Sequence, residues 1–191
     1  MPVKDASQSG AVVVDPYRYT LWRVWNPELP RLLWILLNPS RADECVDDPT
    51  LRRILGFSQS FGFGGIEVVN LFALRSPNPK ALTRVVDPVG PENDSYIRDA
   101  VERTAMIVAA WGSFGKLYRR DHRVLAQINR PLYCLGVTRD SDPCHPLYLR
   151  RDTQPCSFPT PENRAPVDCI DIKQSESTAG HQSRDDQAKP F

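Results

Sequence analysis

The 191-residue sequence contains no apolar run long enough to cross a membrane. Its long apolar runs, such as residues 32–37, are far shorter than the roughly 20 residues that a membrane helix needs. The N-terminal region also lacks an apolar block followed by a small-residue cleavage site. We therefore expect neither a membrane protein nor an exported one, and the predicted location is the cytoplasm.

Paired cysteine motifs are also missing. The five cysteines are an odd number and include no C-x-x-C pair, so we expect reduced thiols rather than a disulfide framework. Cys134, Cys144, His145 and Cys156 do not have the tight-loop spacing of zinc or iron–sulfur ligands. The sequence therefore predicts no metal and no other cofactor.

The chain has no strong excess of either charge. It contains 24 Lys and Arg against 23 Asp and Glu, a net charge of +1, which argues against a protein that wraps nucleic acid as histones do. The charge is uneven, however, because residues 1–151 carry a net +4 and residues 152–191 a net −3. A net +4 is enough to contact a few phosphates, but too little for tight, sequence-independent binding of duplex DNA.

Several common catalytic motifs are absent. There is no G-x-S-x-G, P-loop, H-E-x-x-H or dinucleotide-binding fingerprint, which argues against serine hydrolases, nucleoside triphosphatases and zincins. Gly62, Gly64 and Gly65 lie where a predicted helix ends, so they are interpreted as a C-cap and turn rather than a phosphate-binding loop.

Length and composition predict one domain with two loose ends. A chain of 191 residues is about the size of one ordinary domain. Residues 1–15 are polar and unpatterned, which predicts a flexible lead-in, and the Pro- and Ser-rich residues 152–191 are predicted to be disordered. The predicted α/β domain is then residues 16–151.

Strand and helix patterns alternate along this domain. A helix with Asp48 as N-cap and Pro49 at its first position is expected to end at Gly62, and further helices are expected at 92–104 and 114–128. This alternation predicts a three-layer α/β/α fold with a mainly parallel, four-stranded central sheet, plus an N-terminal strand or hairpin. The predicted strands are residues 17–25, 32–37, 66–71, 105–110 and 132–135.

The ends of these strands predict the position of a site, since ligands of open α/β sheets bind beyond the carboxyl ends of the strands. Asn38 follows a buried strand and can position a water, and Asp43 and Asp47 are nearby candidates for acid–base chemistry. His145 can act as an acid or base, or donate to a developing oxyanion, although a loop histidine can equally be ordinary surface. Asp48 is interpreted more simply as a helix cap.

Other strand-end residues are candidates for holding a substrate. A carboxamide such as that of Asn70 reads the edge of a nucleobase. Trp111 and Phe72 can stack on a flat ligand or form the rim of the core, and arginines can contact phosphates. The predicted substrate-binding residues are Pro39, Ser40, Arg41, Asn70, Phe72, Arg75 and Trp111.

The same segments carry a family resemblance. Together they resemble a family of uncharacterised bacterial and phage proteins catalogued only as a domain of unknown function, over residues 17–149. The motifs are L-L-N-P-S-R-A-D at 36–43, D-D-P-T at 47–50, V-V-N-L-F-A at 68–73, P-V-G-P-E-N-D at 88–94, W-G at 111–112 and H-P-L-Y at 145–148.

The order of the motifs is distantly similar to the uracil-DNA glycosylase superfamily. That resemblance implies that Asn38 positions the attacking water, Asn70 reads the base and His145 stabilises charge on the leaving base. Two departures concern the pocket and the DNA-intercalating loop. Ser40 and Arg41 replace the usual glycine, and the late motif continues as Leu147-Tyr148 rather than Ser-Pro.

These observations support one leading hypothesis and two alternatives. The first is an enzyme that hydrolyses the N-glycosidic bond of a nucleobase-containing substrate, either a single-stranded or damaged nucleic acid or a free nucleoside or nucleotide. The second is a non-catalytic nucleotide or nucleic-acid binding module with the same pocket. The third is an enzyme of the same fold that acts on another small anionic metabolite.

Overall fold

The computed structural model describes residues 8–40 and 47–159. This part of the chain forms a mixed α/β structure, and none of its helices is long and apolar enough to span a membrane. The helices are α1 (Pro49–Ser60), α2 (Asn93–Arg103) and α3 (Arg120–Leu125), with 3₁₀ helices at Pro79–Thr83, Ser113–Arg119 and Pro146–Tyr148. The strands are β1 (Gln8–Val14), β2 (Tyr17–Val24), β3 (Arg31–Leu36), β4 (Gly65–Asn70), β5 (Met106–Ala109), β6 (Leu132–Cys134) and β7 (Cys156–Ser157).

All seven strands belong to one sheet, in the order β1-β2-β4-β3-β5-β6-β7. The central strands β4, β3, β5 and β6 run parallel. The hairpin of β1 and β2 joins β4 in antiparallel orientation, and β7 pairs antiparallel with β6. The predicted α/β class is confirmed. The sheet has seven strands: the four parallel central strands, the N-terminal hairpin of β1 and β2 at one edge, and β7, which was not predicted, at the other.

The five predicted strands are confirmed to within one residue at either end. β3 is apolar from Leu32 to Leu36 because both of its faces are covered there. Leu33 and Ile35 belong to a core cluster that includes residues of α2 and α3, whereas Leu32 and Trp34 belong to a second cluster with residues of α1. Successive side chains of β3 point to opposite faces of the sheet, so the strand contributes to a separate core cluster on each face.

The start of α1 follows from its sequence, as predicted. The side chain of Asp48 accepts a hydrogen bond of 2.8 Å from the backbone N–H of Leu51, and Pro49 occupies the first turn, where it has no helical partner to lose. Gly62 follows the helix with φ of +84°, a conformation that glycine adopts without strain. The cap fixes the N-terminus of α1 beside the carboxyl end of β3.

The predicted helix over 114–128 is wrong. The chain forms the 3₁₀ helix Ser113–Arg119 and then the short helix α3, because Tyr118 and Arg119 both have φ of +55° and interrupt the right-handed path. The apolar spacing is helical, but a tertiary contact decides the backbone. Arg120 is buried, and its Nε donates a 2.7 Å hydrogen bond to the carbonyl of Leu71, next to β4.

The ordered structure extends beyond the limits 16–151 predicted for the domain. β1 begins at Gln8, within the predicted lead-in, and β7 lies within the predicted tail. Phe158 is buried, its backbone N–H donates to the carbonyl of Leu132 at 2.8 Å, and its ring packs against Trp111. The apolar segment at residues 156–158 is short and lies within a Pro- and Ser-rich stretch, so composition alone did not predict that it would be buried.

Candidate functional site

A cavity of about 620 Å³ opens at the carboxyl ends of β3 and β5, within the size range of small-molecule sites. The first turn of α1 and the turn at 145–148 form its other walls. It lies on the α1 side of the sheet, since Leu36, Leu51 and Ile54 from that core cluster line it. Its polar and aromatic lining residues are Arg18, Asn38, Ser40, Asp48, Thr50, Ser76, Trp111, Ser113, Phe114, His145 and Tyr148.

Asn38 lines this cavity with a fixed orientation. Its side-chain nitrogen donates to the carbonyl of Ser76 at 2.8 Å and to that of Pro39 at 3.0 Å. No described residue donates to its Oδ1. Because the amide nitrogen is held by the loop after β4, the oxygen remains available to accept a hydrogen bond from a ligand or a water.

His145 lies across the cavity at the start of the last 3₁₀ helix. Its Nδ1 accepts a long hydrogen bond, 3.4 Å, from the backbone N–H of Leu147, so the proton of the neutral ring is assigned to Nε2. Burial lowers the pKa of His145, and the negative charge of Asp48 partly opposes this shift. The ring is therefore neutral near pH 7 and can donate from Nε2.

The two described aspartates at the start of α1 have structural partners. Asp47 forms an ion pair with Arg23, whose Nε and Nη2 lie 3.1 and 2.9 Å from the same carboxylate oxygen. Asp47 does not line the cavity, whereas Asp48 does while it caps α1. The predicted catalytic role of Asp47 has no support in this arrangement, and Asp43 lies outside the described residues.

Asn70 ends β4 beside the cavity. It lies on the same face of the sheet as Val68, and its registered neighbour on β3 is Leu36; both of these residues line the cavity. Asn70 itself is fully buried and is not among the lining residues. Within residues 8–40 and 47–159, neither its Nδ2 nor its Oδ1 has a hydrogen-bond partner. Leaving such an amide unpaired costs about 1–3 kcal/mol per group, so this residue requires an explanation other than stability.

The remaining predicted substrate contacts divide into two groups. Ser40 and Trp111 line the cavity, and Pro39 is buried next to Asn38. Phe72 lies in the α2 and α3 core cluster and meets Tyr118 edge-on, so the structure does not bring it to the cavity. Arg75 is also not among the lining residues, and Arg41 lies outside the described residues.

Sequence reasoning missed two aromatic residues of the cavity. Phe114 is 49% exposed and Tyr148 is 86% exposed, and both line the opening. The helical spacing suggested that Phe114 belonged to the core, whereas the interrupted helix turns it towards the solvent. Tyr148 is part of the H-P-L-Y motif, and the position of that motif after a strand was the signal that could have identified it.

The P-V-G-P-E-N-D motif supports the site from the opposite face of the sheet. The side-chain nitrogen of Asn93 donates to the carbonyls of Asn70 and Leu71 at 3.0 and 3.1 Å. Asp94 forms an ion pair with Arg120, which itself holds the carbonyl of Leu71. These contacts fix the backbone that carries Asn70.

The fold and cavity define an α/β protein with a cavity at the carboxyl ends of parallel strands, the position where open α/β sheets bind ligands. Residues 8–40 and 47–159 contain no group of three or more His, Cys, Asp or Glu that could hold a metal ion. Residues 18–147 match the model of a family described as a protein of unknown function, DUF1643, and the chain belongs to this family. No curated protein and no solved structure matches the chain.

Proposed function

We propose that this protein hydrolyses the N-glycosidic bond of a nucleobase-containing substrate, in a three-layer fold like that of the uracil-DNA glycosylase superfamily. The observation that carries the proposal is the unpaired carboxamide of Asn70 beside an aromatic-walled cavity. A carboxamide offers one donor group and one acceptor, which is the complement of a nucleobase edge. Because Asn70 is fully buried next to the lining residues Leu36 and Val68, a base would reach its amide only when these side chains shift, and it would then supply the partners that the described residues do not.

The other functional groups have the chemistry that this reaction needs. Asn38 Oδ1 accepts a hydrogen bond from the attacking water and orients it, since a carboxamide cannot remove its proton. The water oxygen bonds to the sugar carbon as the glycosidic C–N bond breaks, the base leaves with the bonding electrons and accepts a hydrogen bond from the Nε2–H of the neutral His145, and the proton released by the water neutralises the base. Phe114 and Tyr148, the exposed aromatic residues of the cavity, offer surfaces against the ring of the base.

One observation favours a binding module as the second candidate. Of the two described carboxylates at the start of α1, Asp48 lines the cavity but caps the helix, and Asp47 lies outside the cavity and is paired with Arg23. With both committed, the described residues supply no free carboxylate as a general base. A protein that holds a nucleotide without cleaving it needs only Asn70 and the cavity walls.

Base release separates the two candidates. The full chain is incubated with single- and double-stranded oligonucleotides that contain uracil or modified bases, and separately with free nucleosides, and released base is followed by chromatography. Release supports the enzyme. Binding without release from any substrate refutes hydrolysis and supports the binding module, and the absence of both binding and release refutes both.

Three variants test the site if base is released. We expect His145→Ala to lower the rate by about 100- to 1,000-fold, the effect of removing one oxyanion donor, and Asn38→Ala to lower it similarly. Because Asn38 also holds the loop at Ser76, rates are compared well below each melting temperature. His122→Ala, an exposed change on α3 outside the cavity, is the control. Full activity in both cavity variants would refute the assigned roles.

A further inference from the structure

A second concave surface adjoins the cavity on its α1 side. We call it the arginine groove; it encloses about 800 Å³, and Arg52, Arg53 and Arg151 contribute to its walls. Pro49 and Leu147 line both the cavity and this groove, so the two are neighbours across these residues. Among the residues that the structure describes, no Asp or Glu lines the groove. The described lining therefore carries three positive charges and no negative one.

The charge of Arg53 is fixed in place by the fold. Its guanidinium lies over the ring of Phe57, 5.0 Å from the centroid, and donates to the carbonyls of Pro146 and Leu149. These partners are an aromatic face and neutral carbonyls, so they orient the cation without neutralising it. The site is thus electropositive before any ligand arrives.

The other two arginines are exposed. Arg52 donates from Nη1 to the backbone carbonyl of Asp47 at 2.5 Å, which again leaves its charge uncompensated. The ion pairs among residues 8–40 and 47–159 include none of the three groove arginines, although Arg150, the neighbour of Arg151, is paired with Asp152. Arginine forms bidentate hydrogen bonds with phosphate, for which this lining is suited.

We propose that the arginine groove binds the phosphate groups of the substrate whose base enters the cavity. This inference rests on the proposed function and narrows it: the substrate is a phosphorylated one, a nucleotide or a nucleic-acid strand, rather than a free nucleoside. The same chemistry serves a mononucleotide and a single strand, so the test must distinguish these two sources.

The test compares ligands with and without phosphate. The probes are the common nucleosides including uridine, their 5′-monophosphates, and a mixed-sequence single strand that contains uracil, with binding measured by calorimetry or fluorescence at several salt concentrations. The double variant Arg52→Gln with Arg151→Gln removes the two exposed charges and spares Arg53. Arg98→Gln with Arg123→Gln, exposed positions on α2 and α3, is a control of equal charge change.

We expect the double variant Arg52→Gln with Arg151→Gln, the groove variant, to bind the phosphate-bearing ligands about 10- to 100-fold more weakly than the wild type. Its affinity for nucleosides should change less than twofold. For the single strand, the slope of log K against log salt should fall by about 1.4, since each lost phosphate contact contributes about 0.7. The control should leave all of these values near wild type. Weakening of both monophosphates and strands indicates a nucleotide subsite, and weakening of strands alone indicates a strand-binding groove; both support the proposal.

Three results would overturn it: no binding of any phosphate-bearing probe, equal loss for ligands with and without phosphate, or equal loss in the control. The proposed function fails separately. Suppose that no base is released and nucleosides do not bind, but the groove variant still binds phosphate-bearing ligands selectively more weakly. The groove is then a phosphate site, and the assignment of glycosidic hydrolysis is wrong.

Discussion

Glu67 and Asn70 lie three positions apart on β4, both are almost fully buried, and they lie on opposite faces of the sheet. Glu67 accepts hydrogen bonds from Thr20 Oγ1 at 2.9 Å and from Arg103 Nε at 2.8 Å. Asn70 has no partner for either amide atom. The same strand thus presents a satisfied polar group towards α2 and an unsatisfied one towards the cavity.

This difference separates polar groups that hold the fold from those that can serve a ligand. On the α2 and α3 side, Arg120 binds a carbonyl and a carboxylate, and Asn93 binds two carbonyls and leaves only its Oδ1 unpaired. On the cavity side, Asn38 Oδ1 and His145 Nε2 also lack described partners. Buried polar atoms without partners occur on both faces of the sheet, but Asn70 is the described side chain that leaves both of its amide atoms unpaired, which is costly unless a ligand pairs with them.

The largest effect is expected at the satisfied group. Glu67→Leu leaves the buried Thr20 and the partly exposed Arg103 without their acceptor, and we expect the free energy of unfolding to fall by about 2 kcal/mol in urea denaturation. The double change Glu67→Leu with Arg103→Leu should recover only a small part of that loss, because water can solvate the guanidinium left by the single change. If Glu67→Leu lowered the free energy of unfolding by less than about 0.5 kcal/mol, Glu67 would not be a residue that holds the fold, and its contrast with Asn70 would fail.

The unsatisfied group should behave in the opposite way. Asn70→Leu, which is similar in size, is expected to raise the free energy of unfolding by about 1 kcal/mol, because it removes a buried amide that gains nothing in return. The same change should abolish binding of nucleobase ligands. Asn93→Leu is the matched control and should destabilise. If Asn70→Leu destabilised as much as Asn93→Leu, Asn70 would be a structural residue.

The smallest effect is an acid dependence of stability. Because burial lowers the pKa of His145 in the folded state, the unfolded chain takes up this proton first as the pH falls through about 6.5. Stability should therefore decrease with falling pH from that value down to the lowered folded pKa, and level off below it. His145→Gln should lose this part of the profile and the exposed His122→Gln should keep it, as measured by thermal melting from pH 7.5 to 5. An unchanged profile in His145→Gln would contradict the burial of the ring.

Local sequence signals predicted much of the fold. Asp48 and Pro49 mark the start of α1, and the apolar runs mark the central strands, because caps and strand burial depend on nearby residues. The path after Ser113 could not be predicted in this way, since the distant carbonyl of Leu71 determines the position of Arg120. The apolar residues near 156–158 were also missed, since their burial depends on pairing with β6.

The site was predicted in outline for a similar reason. The rule that ligands bind at strand ends placed Asn38, Trp111 and His145 at one edge, and the structure brings all three to the cavity. It could not predict that Phe72 packs into the α2 and α3 core cluster, because β4 ends at Asn70 and its alternation does not continue to Phe72. Nor could it predict that an ion pair with Arg23 engages Asp47.

The hydrogen bonds by which Arg53 holds the turn after His145 join residues 93 and 96 positions apart. Contacts of such long range form late, since the intervening chain must first be ordered. During synthesis, Asn38 and α1 leave the ribosome well before the segment that carries His145. A growing chain therefore carries the cavity walls formed by Asn38 and α1 before the wall that contains His145 has been made. A ligand that contacts both walls can stabilise the protein only after that last segment is in place.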